Sequence, residues 1–335
     1  MTDVPAPALE PEVMPRPTTE ERWRALRAVS RGDVVYRAVL TALTLCLPAV
    51  LLLIAATLVV DALPGIKAMG LGFLVHSEWD AVHNRFGALP LIVGTLYSSA
   101  IALAIAVPMA LACAVFLTEF APRWLRSPVA TLVELLAAVP SVIYGLWGIF
   151  VLIPLLRDHL WPLVRPVLGK LPIFSGVFYG PSMLAAGVIL SIMILPYIAA
   201  VSREVLLAVP PSQREAGLAL GATRWETVWS VILPYGRAGI MGAVILGLGR
   251  ALGETMAVTM VIGNNHQVAL SVLKPGYTIA SVIANEFSES VTKLQVSSLF
   301  YVGLVLFVIT LIVNALARVL VWQVARGSGV GSTAL

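Results

Sequence analysis

Six stretches of mostly apolar residues divide the chain, at about 36–62, 89–117, 128–155, 181–202, 236–263 and 297–324. Each is near the roughly 20 residues a helix needs to cross the hydrocarbon of a bilayer. None shows the alternation over about ten residues that marks a membrane β-strand. The pattern predicts an all-α polytopic membrane protein with six transmembrane helices. Residues 1–30 are polar and carry Pro5, Pro7, Pro11, Pro15 and Pro17, so they read as a disordered tail with no core to bury. No short apolar segment with a small-residue cleavage site follows the start, so this is not the pattern of a secretory signal. The helical region is expected to run over 31–325, with 326–335 as a short second tail.

Lys and Arg set the orientation. Arg16, Arg22, Arg24, Arg27, Arg31, Arg37, Arg123, Arg126, Arg203, Arg214, Arg224, Arg237, Arg318 and Arg326 fall on one side of the spans. Lys67, Arg85, Arg157, Arg165, Lys170, Lys274 and Lys293 fall on the other. Fourteen against seven places both termini in the cytoplasm. Composition agrees with a membrane protein. Hydrophobic residues make up 59% and charged residues 12%, whereas soluble domains run at about 45–50% and 25%. The net charge of +4 does not suggest nucleic acid, because the basic residues cluster at the ends of apolar runs.

Candidate chemistry is sparse. Cys46 and Cys113 lie inside apolar runs and offer neither a disulfide framework nor a metal spacing. His76, His83, His159 and His266 lie singly in connecting segments. With no His in any span and neither HExxH nor GxSxG, an intramembrane enzyme lacks its residues. Gly169-Lys170 is followed by leucine, so there is no P-loop to cradle nucleotide phosphates. Pro48, Pro108, Pro140 and Pro196 sit inside spans. They are either kinks that shape a pathway or prolines that neighbouring helices tolerate.

The fifth stretch holds the sharpest anomaly. Arg250 sits near its middle, where a charge costs roughly 3 kcal/mol by insertion scales. Glu254 follows at i+4, on the same face of a continuous helix. Gly239, Ala243, Gly247 and Ala251 form a seam of small residues that lets another helix approach closely. The Arg250–Glu254 pair reads either as structural glue or as a site where an anion finds a compensating cation. Thr255 and Thr259 add hydroxyls to it. Asp61, Glu134 and Asn314 read as structural, Asn314 as interhelical glue. Glu119 closes the second span and is placed to contact a partner.

The connection 209–235 is not a polar spacer. Pro210 and Pro211 close the preceding helix, Ser212 and Glu215 have the spacing of a capping box, and Gly221 breaks that helix. A second amphipathic piece is expected from Thr223, ending at Leu233-Pro234. The external segments 64–88, 156–180 and 264–293 form a second surface. The middle one, with Leu, Trp, Val and Phe among prolines, suggests one or two short interfacial helices.

The stretch EAGLALGATRWETVWSVILP resembles the EAA loop of ABC-importer permeases: Glu-Ala-Ala, three residues, Gly, nine residues, Ile-x-Leu-Pro. Glu215, Ala216, Gly221, Leu233 and Pro234 match, while Gly217 replaces the second alanine and Val231 the isoleucine. FGALPLIVGTLYSSAIALAIAVPMALACAVFLTEF (86–120), ELLAAVPSVIYGLWG (134–148) and GRALGETMAVTMVIGN (249–264) narrow the likeness to the permeases of bacterial phosphate importers. The resemblance covers about 31–325. It implies a type I ABC-importer permease fold in the bacterial cytoplasmic membrane. It also implies coupling to an ATPase subunit through Glu215, Ala216, Gly217, Gly221, Leu233 and Pro234, and a transport pathway that includes Arg250, Glu254 and Thr255. The implied partners are a second permease chain (PstA-like), a dimer of ATP-binding subunits (PstB-like) that uses ATP and Mg, and an extracytoplasmic phosphate-binding protein (PstS-like), in contact with lipid. No cofactor is expected on this chain. Sulfate or molybdate is the alternative cargo. A non-transporting scaffold leaves Arg250 and the loop unexplained.

Overall fold

The computed structural model describes residues 31–326; the two expected tails at 1–30 and 326–335 fall outside it, apart from the last helical residue. Among the described residues the chain is helical, with one antiparallel bridge between Asp80 and Arg85. Six helices are long and apolar enough to cross a membrane: Asp33–Leu74, Leu89–Phe120, Ser141–Leu168, Met183–Leu207, Arg224–Gly253 and Lys293–Gln323. The first helix, α1 (Arg31–Met69), is longer than its apolar stretch suggests and takes in Asp61. Up to Ala56 it forms a unit of its own, with Val34, Leu47 and Leu52 fully on its surface.

The core of the second unit is α2 (Leu89–Val115) packed along α6 (Met183–Leu207). Ser98, Ala102, Ala106, Ala110 and Ala114 recur every fourth residue on α2 and are all buried. Such a ridge of small side chains lets a neighbouring helix approach closely. Larger residues of α6, Ile189, Leu190, Met193 and Ile194, fill the space. The expected seam on α9 (Leu233–Gly253) packs on the same helix. A Cβ on Gly239 would lie 2.6 Å from Val205, and one on Gly247 2.7 Å from Ile198.

Two breaks depart from the six continuous stretches. The third stretch divides at Val139-Pro140 into α3 (Arg123–Ala138) and α4 (Ser141–Trp147), and the span then runs on to α5 (Trp161–Leu168). Glu134 therefore lies exposed on α3, before the span. His159, expected in a connecting segment, lies in the span. The proposed interfacial helices of 156–180 are the end of that span plus one turn at Pro172–Phe174. The fifth stretch divides at Glu254-Thr255, between α9 and α10 (Met256–Val261). By contrast Pro108 and Pro196 stay inside continuous helices.

Four π turns share one sequence context. Ala121, Ile153, Trp161 and Leu233 donate their amides five residues back, to Phe116, Gly148, Leu156 and Val228. Each is followed at once by a proline: Pro122, Pro154, Pro162 or Pro234. Proline has no N–H and its ring presses on the carbonyl four residues back. A widened turn directly before it gives the ring room, and neighbouring carbonyls still find donors. This explains why Leu233-Pro234 does not end the helix as expected. Arg224–Gly253 continues through it.

Gly247→Val should wedge α9 away from α6. It is expected to cost about 1–3 kcal/mol by overpacking, read as a lower thermal midpoint of the purified chain. Adding Ile198→Ala should recover part of that loss.

Candidate functional site: an arginine cavity and a two-helix knob

The α9–α10 break defines the first site. Glu254 has extended backbone (ψ 127), so it does not sit one turn above Arg250, and no ion pair joins the two. Instead Glu254 Oε1 accepts a hydrogen bond from the Ala257 amide at 3.4 Å. Thr255 Oγ1 donates to Gly253 O at 3.3 Å, and Thr259 Oγ1 to Thr255 O at 2.7 Å. Both hydroxyls thus serve the backbone at the break. Non-helical backbone at membrane depth persists only inside protein or along a water-filled cavity.

Arg250 ends α9 with its guanidinium over the Tyr197 ring, 4.3 Å from the centroid. Its Nε is buried without a hydrogen-bond partner. Tyr197 is itself fixed: its hydroxyl donates to Ala137 O at 2.8 Å, and Tyr144 donates to Leu136 O at 2.8 Å. These are terminal carbonyls of α3, whose regular i+4 donors end at the Val139-Pro140 break; Leu136 O also accepts from the Val139 amide at 3.3 Å. Gly145 of α4 lies against Ala257 and Met260 of α10. The helices that follow the two breaks, α4 and α10, therefore pack together.

A cavity of about 560 Å³ opens beside Arg250, lined by Tyr197, Gly242, Ile245, Leu246, Gly249, Asn314 and Arg318. No acidic residue lines it. Asn314 makes no hydrogen bond to any described residue, so it is not the interhelical glue expected of it. Tyr197, Asn314 and Arg318 were not legible as site residues. They lie far from Arg250 in the chain, and no local pattern links them.

The second site is the 209–235 loop. α7 (Pro211–Ala219) starts on Pro211 with no side-chain cap. The expected Ser212 cap is absent because proline already presets the first turn and lacks the orphan N–H. The capping box lies on α8 (Arg224–Thr227) instead, where Thr223 and Glu226 satisfy each other's backbone amides. Gly221 has φ +84, a left-handed turn that glycine adopts without strain. Gly217 is buried where the two helices cross, and a Cβ there would lie 3.0 Å from Thr227. The replacement of alanine by glycine is therefore matched to Thr227. Glu215 and Ala216 point outward, as do Leu220, Trp225 and Trp229.

Arg214 fastens this knob to the spans. It donates to Leu206 O at 2.7 Å and Val209 O at 2.6 Å, and its Nε lies 3.2 Å from Glu119 Oε1. Glu119, expected to meet a partner, is thus engaged within the chain. Arg214 thus links α7 to the end of α6 and to the turn after α2, beside the apolar cluster of Ala114, Val115, Leu206, Val209, Val228 and Ile232.

On the opposite face, His266 stacks on Trp79 with ring centroids 5.6 Å apart, and Trp79 Nε1 donates to Glu286 at 2.7 Å. His266 Nε2 lies 2.9 Å from the other Glu286 oxygen, off the direction a hydrogen bond needs. At the nearby hairpin tip, the hydrogen bond between their side chains holds the Asp80 carboxyl below its ordinary value and His83 above its own.

Six apolar spans among the described residues, two broken helical stretches near an arginine and a two-helix knob between the fourth and fifth spans are the features of a multi-pass membrane protein. Residues 106–326 match the family model described as binding-protein-dependent transport system inner membrane component. The chain is 42% identical over 321 residues to the phosphate transport system permease protein PstC of Xylella fastidiosa, covering 95% of this chain and 98% of that one. It is 48% identical to PstC of Haemophilus influenzae, with 82% and 88% covered. It is 40% identical to a probable PstC of Methanocaldococcus jannaschii, with 76% and 82% covered. In fold it is similar to a bacterial alginate ABC transporter, with TM-score 0.59, 16% identity and coverage of 86% of this chain and 96% of that one. It is also similar to the MetNI methionine ABC transporter, with TM-score 0.51, 20% identity and 70% and 95% covered. The chain belongs to the binding-protein-dependent transport system inner membrane components, on the branch of the PstC permeases, and is a multi-pass inner membrane protein.

Arg214→Ala should remove the guanidinium from Val209 O, Leu206 O and the Glu119 carboxylate, leaving Leu206 O to the Val209 amide. The expected cost is about 2 kcal/mol, seen as a lower thermal midpoint and faster hydrogen exchange over 206–219. Arg214→Lys, with one compact ammonium for three acceptors, should recover only part.

Proposed function

We propose that the chain is the transmembrane permease subunit of an ATP-driven importer of inorganic phosphate, with both termini cytoplasmic. It supplies half of an alternating-access pathway. The observation that carries this reading is Arg250: a guanidinium within an apolar span, facing a cavity without a carboxylate, in a chain whose relatives are phosphate permeases. Guanidinium presents a planar fork of N–H donors that suits phosphate oxygens. Resting that cation on an aromatic face, rather than on Glu254, leaves its charge available to the passing anion. Glu254 and Thr255 contribute by holding open the break in the helix.

Near neutral pH phosphate carries between one and two negative charges. Inward movement against an inside-negative potential costs roughly 2.3 kcal/mol per charge per 100 mV. A pore open at both ends would leak outward. Access must alternate, and energy must come from elsewhere. The chain has no P-loop, so ATP and Mg²⁺ act on a dimer of ATP-binding subunits (PstB-like). The exposed Glu215 and Ala216, set on the knob by Gly217 and Gly221 and joined to the fifth span through Leu233 and Pro234, form the contact with that dimer. A second permease chain (PstA-like) completes the pathway, and a phosphate-binding protein (PstS-like) delivers cargo to the opposite face, near Trp79 and His266.

Arg250→Gln is expected to abolish uptake of labelled phosphate while the complex still assembles. Uptake at the wild-type rate would return Arg250 to a packing role, and loss of sulfate uptake in place of phosphate would change the cargo. Glu215→Lys reverses charge at the docking surface with the fold intact. Recovery of the ATP-binding subunit by affinity purification should fall severalfold, and unchanged recovery would remove the coupling assignment.

A further inference from the structure

We propose that Arg318 and Asn314 complete, with Arg250, a two-cation site for a small tetrahedral oxyanion, and that Tyr197 positions Arg250 for it. The inference rests on the reading of Arg250 as a pathway residue. The cavity walls carry it. Gly242, Ile245, Leu246, Gly249 and Arg250 occupy one face of α9 and span about 12 Å by helical rise. Opposite them, Asn314 and Arg318 lie one turn apart on α12 (Lys293–Arg326). Two guanidinium groups thus line one cavity that holds no carboxylate, with Ile245 and Leu246 as apolar wall.

Arginines elsewhere divide: Arg237 also has a buried Nε without a partner, whereas others meet carboxylates. Arg203 and Arg214 each lie within 3.2 Å of a carboxylate oxygen. Arg250 and Arg318 have no hydrogen bond or ion pair among the described residues, and neither does the Asn314 amide. Arg250 is half-buried and Arg318 exposed, and both stand at one apolar wall without a counter-charge among its lining residues. An oxyanion with two negative charges answers both. Each guanidinium offers a fork of N–H donors and Asn314 adds a neutral one.

Tyr197 plays a different part. Its hydroxyl is committed to Ala137 O, so its ring is held in place and fixes the plane of Arg250. Tyr197 is therefore a positioning residue. A pathway with two successive cations binds its cargo at each without holding it at either, which conduction requires. With both termini cytoplasmic, Arg318 lies nearer the cytoplasmic end of its helix than Arg250 lies to the start of α9, so it receives the anion after Arg250.

The oxyanion has two possible sources, free phosphate and the phosphate of a lipid headgroup. The test uses the full complex with its binding protein, reconstituted in phosphatidylcholine vesicles with and without added phosphatidylglycerol, and follows labelled inorganic phosphate. R318Q is expected to lower the maximal uptake rate about tenfold in both vesicle types, with the half-saturating concentration of binding protein unchanged. R318K should restore most of that rate. N314D, which sets a carboxylate between the two cations, should lower the rate as R318Q does. Y197F keeps the ring but frees Arg250's support from Ala137, and should lower the maximal rate less than Y197L.

Wild-type uptake by R318Q and N314D, with R250Q inactive, overturns the two-cation site and leaves Arg250 standing. Normal uptake by R250Q removes the reading beneath it. A defect of R318Q confined to vesicles containing phosphatidylglycerol assigns Arg318 to lipid headgroups and overturns the proposal. Loss of the second permease chain from the R318Q complex does so in favour of an ion pair between subunits.

Discussion

Inside hydrocarbon every backbone N–H and C=O must find a partner within the protein, because no water is there to take its place. This chain places prolines in or beside several of its spans, and each removes a donor. Its architecture follows from how those losses are absorbed. Four prolines stand directly after a widened turn; the helix passes through Pro154, Pro162 and Pro234 and ends at Pro122. Pro140 also ends a helix, and two tyrosine hydroxyls take up carbonyls of the last turn.

The second repair is also the origin of the site. Tyr197 reaches Ala137 because α6 runs beside the broken helix, and that reach sets its ring beneath Arg250. The structural solution to an interrupted helix thus becomes the support of a charged group in a span. Packing of α4 on α10 joins this break to the one at Glu254-Thr255, so a shift of either segment is felt at the arginine. At the other end, Arg214 ties the two-helix knob to α2 and α6 by three contacts.

The six spans, the small-residue seam of the fifth and the break at Gly221 were legible because they rest on local regularities: length, period and the conformational range of glycine. The helix from Thr223 was legible for the same reason. Errors came where two local rules competed. Proline after leucine at Leu233-Pro234 reads as a stop, but a widened turn admits it. Ser212 and Glu215 read as a capping box, but Pro211 had already started the helix. Arg250 and Glu254 read as a pair because the stretch looked like one continuous helix, and the break between them separates their directions.

By itself the sequence determined the class of the protein, the number of its spans and the one arginine that needs a reason. Those depend on solvent: hydrophobicity, span length and the cost of a charge in hydrocarbon act residue by residue. Only the tertiary structure decided what that arginine meets. Its aromatic support comes from α6, the amide and second guanidinium of its cavity from α12, and its separation from Glu254 from how α4 seats α10. Contacts between residues so distant in the chain leave no periodic trace, because they are fixed by the packing of whole helices.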